Sequence, residues 1–183
     1  MKRLIAILAA SAALITVPAM AAIPVGSKAP VFSAPAYLAG NQFNFSLAAA
    51  LKKGPVVLYF FPSVHTGGCN IEAHMFADAI DQFKAQGATV IGVTAGKLTE
   101  LAAFSSETEH CSGKFPVAAD PDAAIAKTYD STMSIPGVHL SNRTSYVIAP
   151  GGDVIFEYSA MAPEQHISQT LDAVKKWRAA HPA

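Results

Sequence analysis

The stretch from residue 56 to residue 94 constrains the fold more than any other part of the sequence. It opens with an apolar run at 56–61, continues with an amphipathic segment, and closes with a second mainly apolar run at 89–94. Continuous apolar runs of this length are typical of strands that are covered on both faces. A strand, a helix and a strand in this order predict two parallel strands joined by a crossover helix. The sequence therefore indicates an α/β fold with a mixed central sheet flanked by helices.

The remaining elements follow from periodicity and turn chemistry. Further strands are predicted at 41–46 and 115–119, and a hairpin at 146–149 and 154–158 around a glycine-rich turn. Helices are predicted at 47–53, 69–86 and 98–108, from a cap at Asp120 or Asp122 to residue 129, and at 163–180. The side chains expected in the core from helical spacing are Phe76, Ile80, Phe83, Ile167, Leu171, Val174 and Trp177.

The N-terminus has the pattern of a targeting segment. Lys2 and Arg3 precede an apolar run at 4–17, and small residues at 18–21 supply a cleavage site after Ala21 or Ala22. The run of 14 residues is short for a membrane span, which disfavours the alternative of an uncleaved anchor. We therefore predict a cleaved signal peptide at 1–22, a single domain at 23–183, no stable membrane insertion after cleavage, and a periplasmic or secreted location. Cleavage leaves 11 basic against 13 acidic residues, a balance that argues against nucleic acid as a partner.

One cysteine lies at the predicted junction between the strand at 56–61 and the helix that follows it. The connection at 62–69 reads Pro-Ser-Val-His-Thr-Gly-Gly-Cys and ends at Cys69. A thiol at a helix start faces unpaired N–H groups and the positive end of the helix dipole, which favours the reactive thiolate. Position 66 is Thr, so the Cys-x-x-Cys pair of a disulfide oxidoreductase is absent. The second cysteine, Cys111, allows either a structural disulfide or a redox-cycling pair, and the reactive position of Cys69 favours the second.

The turn resembles the active site of the peroxiredoxins, which reads Pro-x-x-x-Thr-x-x-Cys, with Pro62, Thr66 and Cys69 at the matching positions. Glu72 matches the branch of bacterioferritin comigratory protein, also called peroxiredoxin Q. Arg143 lies before an apolar run, as the family's catalytic Arg does. The resemblance covers about residues 24–180 and implies a thioredoxin-like fold.

The resemblance also implies a role for each matched residue. Cys69 would attack a hydroperoxide and become a sulfenic acid, while Arg143 would favour the thiolate and stabilise developing negative charge. Thr66 would offer its hydroxyl to the thiolate or the peroxide, or serve as a helix cap. Glu72 would orient Arg143, or complement the helix dipole. Pro62 would pack over the thiolate.

The chain also departs from the family pattern. Gly67 occupies the position of a usual Pro, and His74 stands where many peroxiredoxin Q members have a resolving cysteine. Another subset of the branch carries its resolving cysteine in the region of Cys111. The resemblance therefore implies a Cys69–Cys111 disulfide, which a thioredoxin-like dithiol protein would reduce.

Other functions remain as alternatives. The domain could be a thioredoxin-like envelope protein that binds a partner or senses redox state without peroxide turnover. A Cys–His hydrolase is disfavoured because no general base or oxyanion hole is marked. The histidines at 65, 74, 110 and 139 are scattered without ligand spacing, so we predict neither a metal nor another cofactor. We expect a monomer or weak dimer.

Overall fold

The computed structural model describes residues 22–133, 135–137 and 139–182. Its strands are β1 (Ser33–Leu38), β2 (Asn41–Ser46), β3 (Val56–Phe60), β4 (Thr89–Thr94), β5 (Val117–Ala119), β6 (Thr144–Ile148) and β7 (Val154–Ser159). Its helices are α1 (Leu47–Leu51), α2 (Gly67–Ala85), α3 (Leu101–Ser106), α4 (Ala124–Thr128) and α5 (Glu164–Ala180). Together the strands form one sheet in the order β2-β1-β5-β4-β3-β6-β7.

The two apolar runs form the centre of this sheet, as predicted. β3 pairs in parallel with β4, so that Val56 lies opposite Thr89, and pairs antiparallel with β6 on its other side. All five residues of β3 are buried, because α2, α3 and α5 contribute side chains to the core cluster on one face of the sheet, and α1 and α4 contribute to the cluster on the other. β6 and β7 form the predicted hairpin. The α/β class and the mixed sheet are confirmed.

The core has two parts that lie on opposite faces of the sheet. Val57 and Tyr59 belong to one cluster of buried side chains, and Leu58 and Phe60 belong to the other, because side chains alternate along a strand. The buried positions predicted on α2 and α5 are correct except for Trp177. That ring is only half-buried and stacks on His181 with a centroid distance of 4.6 Å. Trp177 lies in the last turn of α5 and lines a cavity with Ile155 and Phe156 of β7, which leaves part of the ring exposed.

The other differences from the sequence prediction concern element boundaries and one strand. α2 begins two residues earlier than predicted, at Gly67. The predicted helix at 98–108 is a 3₁₀ turn at Leu98–Glu100 followed by the short α3. β1 was not predicted, because the Pro and small residues of this segment indicated an extended lead-in instead. Asp120 caps α4 as expected, since its carboxylate accepts from the backbone N–H of Ile125 and Ala126 at 2.7 and 2.8 Å.

The predicted signal segment lies outside the described residues apart from Ala22. Within the described part of the chain, no helix combines the length and the apolar character that crossing a bilayer requires.

Candidate active site

The predicted site residues converge because of how β3 and β6 pair. β3 ends at Phe60, and β6 begins at Thr144, directly opposite it. The loop that leaves β3 carries Cys69 into the start of α2, while Arg143 comes immediately before β6. The two residues are 74 positions apart in the chain, yet both lie at the same end of the sheet.

Cys69 is the third residue of α2, and its side chain is almost completely buried. Thr66 precedes the helix in an extended conformation, and its carbonyl accepts the first helical hydrogen bond from the N–H of Asn70 at 2.9 Å. The N–H groups of Gly67, Gly68 and Cys69 therefore come before the helical ladder, and helix geometry provides them with no acceptor. Cys69 consequently lies where donors and the helix dipole favour an anion.

Arg143 supplies a buried cation to the sulfur. Its Nη2 donates to Cys69 Sγ at 3.4 Å, and its Nη1 donates to Glu72 Oε2. Its Nε donates to the carbonyl of Met161 at 3.0 Å. All three nitrogens of the guanidinium are engaged, so the group is fixed in one orientation toward Cys69.

Glu72 is fully buried on α2, one turn after Cys69. Burial raises the pKa of Glu72 to about 8, although Arg143 opposes the shift. Among the described residues its Oε1 has no hydrogen-bond partner and lies 3.7 Å from Nδ1 of His166. A carboxylate with an unsatisfied buried oxygen is costly, so the neutral acid is favoured near pH 7.

His166 is a member of this buried group that the sequence did not reveal. Its Nε2 donates to the carbonyl of Ala160 at 2.9 Å, so its Nδ1 carries no proton and accepts from the hydroxyl of Ser145 at 2.8 Å. Burial, with a smaller contribution from the positive charge of Arg143, lowers the pKa of His166 to about 4. His166 is therefore a neutral neighbour of Glu72. No sequence signal joins position 166 to position 72, since only the packing of α5 on α2 brings them together.

Thr66 and Pro62 lie in the turn that leads from β3 to Cys69. Thr66 occupies the N-cap position of α2, but its hydroxyl donates to the carbonyl of Ser63 at 2.9 Å rather than to a helix N–H. The carbonyl of Pro62 accepts from the hydroxyl of Thr94 at 3.1 Å, which fixes the turn to the end of β4. Both residues thus hold the shape of the turn in this structure.

Cys111 lies in the turn that follows α3, and its thiol is fully buried and free, as is that of Cys69. Both cysteines belong to the same apolar cluster, together with Phe104 and Tyr59. Burial raises the pKa of the Cys111 thiol, and the nearby charge of Glu107 raises it further. Cys111 is therefore a protonated thiol here, in contrast to the cationic surroundings of Cys69.

Tyr59 is a second buried residue of the site that the sequence did not single out. Its ring stacks on Phe61 and Phe76 at 5.4 and 4.5 Å, and its hydroxyl has no hydrogen-bond partner among the described residues. Burial raises the pKa of Tyr59, and the two cysteines add to the shift. The apolar run at 56–61 predicted a buried strand but gave no indication of this polar atom.

A mixed sheet of this topology, flanked by helices and with one cysteine at a helix start beside a buried Arg, defines a thioredoxin-like fold. The chain belongs to the AhpC/TSA family, whose model matches residues 25–156. This result agrees with the resemblance drawn from the Pro62, Thr66 and Cys69 pattern.

The relatives of this chain include chloroplastic peroxiredoxin Q proteins of plants. The chain is 31% identical over 139 residues to chloroplastic peroxiredoxin Q of Populus jackii. The aligned region covers 75% of this chain and 63% of that protein. It is 32% identical over 120 residues to chloroplastic peroxiredoxin Q of Arabidopsis thaliana, covering 65% of this chain and 54% of that protein. The chain thus spans less than two thirds of the length of these relatives.

Solved structures share the fold at lower sequence identity. Peroxidoxin BcpB from Mycobacterium tuberculosis superimposes with a TM-score of 0.73 at 24% identity, over 83% of this chain and 96% of that one. The reduced 2-Cys peroxiredoxin of Plasmodium vivax gives a TM-score of 0.75 at 20% identity, over 87% and 99%. The thioredoxin-like peroxiredoxin fold is therefore confirmed.

Proposed function

We propose that this protein is a thiol-dependent peroxidase that reduces hydrogen peroxide and organic hydroperoxides through Cys69. The observation that carries the proposal is the 3.4 Å contact from Arg143 Nη2 to Cys69 Sγ at the start of α2. A permanent cation and free helix N–H groups stabilise both a thiolate and the charge that develops on a leaving oxygen. Membership of the AhpC/TSA family supports the same chemistry.

In the first step, the thiolate of Cys69 attacks the outer oxygen of the hydroperoxide. An S–O bond forms, the O–O bond breaks, and the electron pair leaves with the inner oxygen as hydroxide or alkoxide. The sulfur is oxidised to sulfenic acid, which keeps the proton of the attacked oxygen, and the leaving oxygen takes a proton to give water or an alcohol. The N–H groups of Gly67 and Gly68 and the guanidinium of Arg143 are the donors available to the departing charge.

The protonation state of Glu72 matters for this step. Arg143 is one cation between two acidic groups, Glu72 and Cys69. Because burial raises the pKa of Glu72 to about 8, the carboxyl is mainly neutral at pH 7 and accepts from Arg143 without competing for its charge. The positive charge of Arg143 is then available to the thiolate.

In the second step, the thiol of Cys111 condenses with the sulfenic acid. The S–S bond forms, the S–O bond breaks, and the hydroxyl leaves with the thiol proton as water. A thioredoxin-like dithiol protein then reduces the disulfide by exchange and becomes a disulfide itself. Since both thiols are buried, the exchange requires movement of the turn around one or both of them.

A rapid-mixing titration of the purified chain with hydrogen peroxide tests the first step. We expect the Cys69 thiol to be lost with one equivalent of peroxide, and the loss to persist in Cys111→Ser. Cys69→Ser, which circular dichroism should show to be folded, should lose at least about 10³-fold in rate, because no other thiolate is poised at a helix start. A folded Cys69→Ser variant that consumes peroxide at the parental rate would refute the mechanism. Indifference of the parent protein to peroxide would favour a binding or sensing role.

We further propose that the mature protein works in the periplasm or is secreted, and that it is a monomer or weak dimer. The basic residues Lys2 and Arg3, the apolar run and the small residues at 18–21 support export. N-terminal sequencing of protein from the envelope fraction should begin at Ala22 or Ile23. Recovery of the intact Met1 form from the cytosol would contradict export.

A further inference from the structure

Two histidines and a glutamate converge at the edge of the cysteine turn. His65 immediately precedes Thr66, Glu107 caps the C-terminus of α3, and His110 lies one turn beyond it. The Nε2 of His65 and the Nδ1 of His110 lie 2.9 and 2.7 Å from the same oxygen, Oε2 of Glu107. One ligand atom from each of the three residues lies within 4.8 Å of the other two.

The relative positions of the two rings fit a single bound ion. Two imidazoles that bind one tetrahedral ion through bonds of about 2.0–2.1 Å have ring centroids about 5 Å apart. The centroids of His65 and His110 are 5.1 Å apart, and their planes are inclined at 74°. The rings therefore already have the separation that shared coordination requires.

The surroundings of the cluster orient its members. Nδ1 of His65 lies 2.6 Å from Oε2 of Glu100, which leaves Nε2 directed at Glu107. A carboxylate on the far nitrogen of a histidine is the usual support for a metal ligand. The ring of Phe104 stacks on His110 at 4.7 Å and meets the edge of His65 at 5.4 Å.

The backbone of His65 gives a further indication of a constrained position. Its φ is 52°, in the left-handed region that residues other than Gly rarely adopt. Such a conformation costs free energy, so other contacts of the residue must hold it in place. The contacts in this case are those to Glu100, Glu107 and Phe104.

We propose that this cluster binds a divalent transition-metal ion of the zinc type. The ligands are His65 Nε2, Glu107 Oε2 and His110 Nδ1, and solvent fills the fourth position. Two imidazoles and one carboxylate suit Zn²⁺, whereas Mg²⁺ and Ca²⁺ prefer oxygen ligands alone. The site is reachable, because the side chain of Glu107 is 42% exposed and that of His65 is 24% exposed.

The position of the cluster indicates what a bound ion would do. One ligand lies in the turn that leads to Cys69, and another is the residue before Cys111. A common ion would tie the two cysteine-bearing segments to each other. A bound ion would therefore slow formation of the Cys69–Cys111 disulfide. This consequence rests on the proposed function. Binding itself does not depend on that function.

The test is a titration of the metal-free, untagged protein with Zn²⁺ by calorimetry and with Co²⁺ by visible absorption. We expect one ion per chain and the absorption of tetrahedral Co²⁺ without a sulfur-to-metal charge-transfer band. His110→Ala and Glu107→Gln should each weaken Zn²⁺ binding by at least about 10²-fold, since each removes a ligand. Glu100→Gln should weaken it about 10- to 100-fold while leaving all three ligands in place.

Two controls identify the site. His74→Ala removes a histidine that lies on α2 and pairs with Asp78 at 3.6 Å, so Zn²⁺ binding should not change. The double variant Cys69→Ser, Cys111→Ser should also bind as the parent does. Loss of binding in the double variant, unchanged binding in folded His110→Ala and Glu107→Gln, or no binding by the parent would overturn the proposal. Binding with no effect on disulfide formation would leave the site intact and refute only its consequence.

Discussion

At the scale of single residues, the proposed chemistry depends on how closely one guanidinium approaches one sulfur. Arg143 reaches Cys69 across the first turn of α2, directly beside Gly68. A Cβ at Gly68 would lie 3.1 Å from Arg143 Nη2, whereas a Cβ at Gly67 would meet nothing within 4 Å. Gly68 therefore leaves room for the cation, and Gly67 does not serve this purpose.

The two glycines provide a matched pair of substitutions for the first prediction. Gly68→Ala should push the guanidinium of Arg143 away by a few tenths of an ångström and slow sulfenic acid formation by up to about tenfold, equal to about 1.4 kcal/mol. Gly67→Ala makes the same chemical change in the same turn without that contact. Rapid-mixing measurements with hydrogen peroxide compare the two rates.

Equal rates for Gly68→Ala and Gly67→Ala would mean that the approach of Arg143 to Cys69 does not limit the reaction. The unfolding midpoints of both variants should stay close to that of the parent, which separates a local effect from loss of the fold. Recovery of the parental rate in Gly68→Ala at high peroxide concentration would place the defect in binding of the peroxide.

Individual residues were predictable from sequence where a local pattern positions them. Cys69 at a helix start follows from the strand, turn and amphipathic helix around it. Arg143 was singled out only by the resemblance to the peroxiredoxins, because an Arg before a strand is by itself typical of the solvated surface. For Glu72 the sequence left two roles open, orienting Arg143 or complementing the helix dipole. In the structure the carboxyl of Glu72 accepts from Arg143. His166 and the His65–Glu107–His110 cluster were missed, because side chains that are distant in sequence meet only through tertiary packing.

At the scale of secondary-structure elements, formation of the proposed Cys69–Cys111 disulfide depends on the movement of two short segments. The first is the initial turn of α2. The second is the turn at 107–113, in which Ser112 and Gly113 have positive φ and donate backbone hydrogen bonds to Glu107 and Ser105, each at 2.9 Å. Lys114 Nζ bonds to the carbonyl of Ala77 on α2 at 3.0 Å and so joins this turn to the helix. Backbone N–H groups of His110 and Lys114 also bond within this turn, so its local opening breaks several hydrogen bonds but leaves the strand pairing of the sheet intact.

The second prediction concerns Cys111→Ser. Its first oxidation by peroxide should remain as fast as in the parent, but Cys69 should persist as sulfenic acid and become over-oxidised with excess peroxide. Steady-state turnover with a thioredoxin-like reductant should fall, because no intramolecular disulfide forms. Trapping of sulfenic acid and mass spectrometry measure both effects.

Peptide mapping of the peroxide-treated parent supplies the complementary measurement. A linked Cys69–Cys111 peptide is the expected product. A Cys69–Cys69 dimer, or sulfenic acid beside a free Cys111, would show a one-cysteine mechanism and leave Cys111 without a role in turnover.

The elements themselves were predictable to differing degrees, for physical reasons. β3 and β4 carry continuous apolar runs because both of their faces are buried, so their sequence alone marks them. β1 contains Pro35 and lacks such a run, and its pairing with β5 involves only Ala36 and Tyr37. A strand defined mainly by its neighbours leaves little local signal.

At the scale of the whole molecule, a small group of ionisable side chains is enclosed between the sheet and the helices α2 and α5. Arg143, Glu72 and His166 are all buried. Arg143 contacts Cys69 and Glu72, and Nδ1 of His166 lies 3.7 Å from Oε1 of Glu72. Among the groups whose pKa burial shifts, Glu72 and His166 have opposite effects on how stability changes with pH. Burial raises the pKa of Glu72 to about 8 and lowers that of His166 to about 4. The fold therefore discourages charge on both.

These shifts determine the sign of the pH dependence. From the ordinary Glu value of 4.5 up to about 8, the unfolded chain has released the proton of Glu72 and the folded chain has kept it, so stability falls as pH rises. From about 4 up to 6.5, the unfolded chain holds a proton on His166 that the folded chain lacks, so stability rises with pH. The two effects oppose each other below pH 6.5. Between pH 6.5 and 8 the loss from Glu72 remains, and His65, whose pKa is raised by its hydrogen bond to Glu107, adds a loss of the same sign in parent and variants alike.

The third prediction is that Glu72→Gln removes the loss from Glu72. The amide is uncharged at every pH. Its carbonyl oxygen can still accept from Arg143, and its N–H group replaces the O–H of the neutral acid. The parent should lose about 1–2 kcal/mol of unfolding free energy between pH 6.5 and 8 relative to the variant. Urea unfolding at the two pH values measures the difference, and Glu109→Gln, which alters an exposed carboxylate, should behave as the parent does. If parent and Glu72→Gln change equally, Glu72 is ionised throughout this range, and Arg143 must then serve Cys69 while it is already paired with a carboxylate.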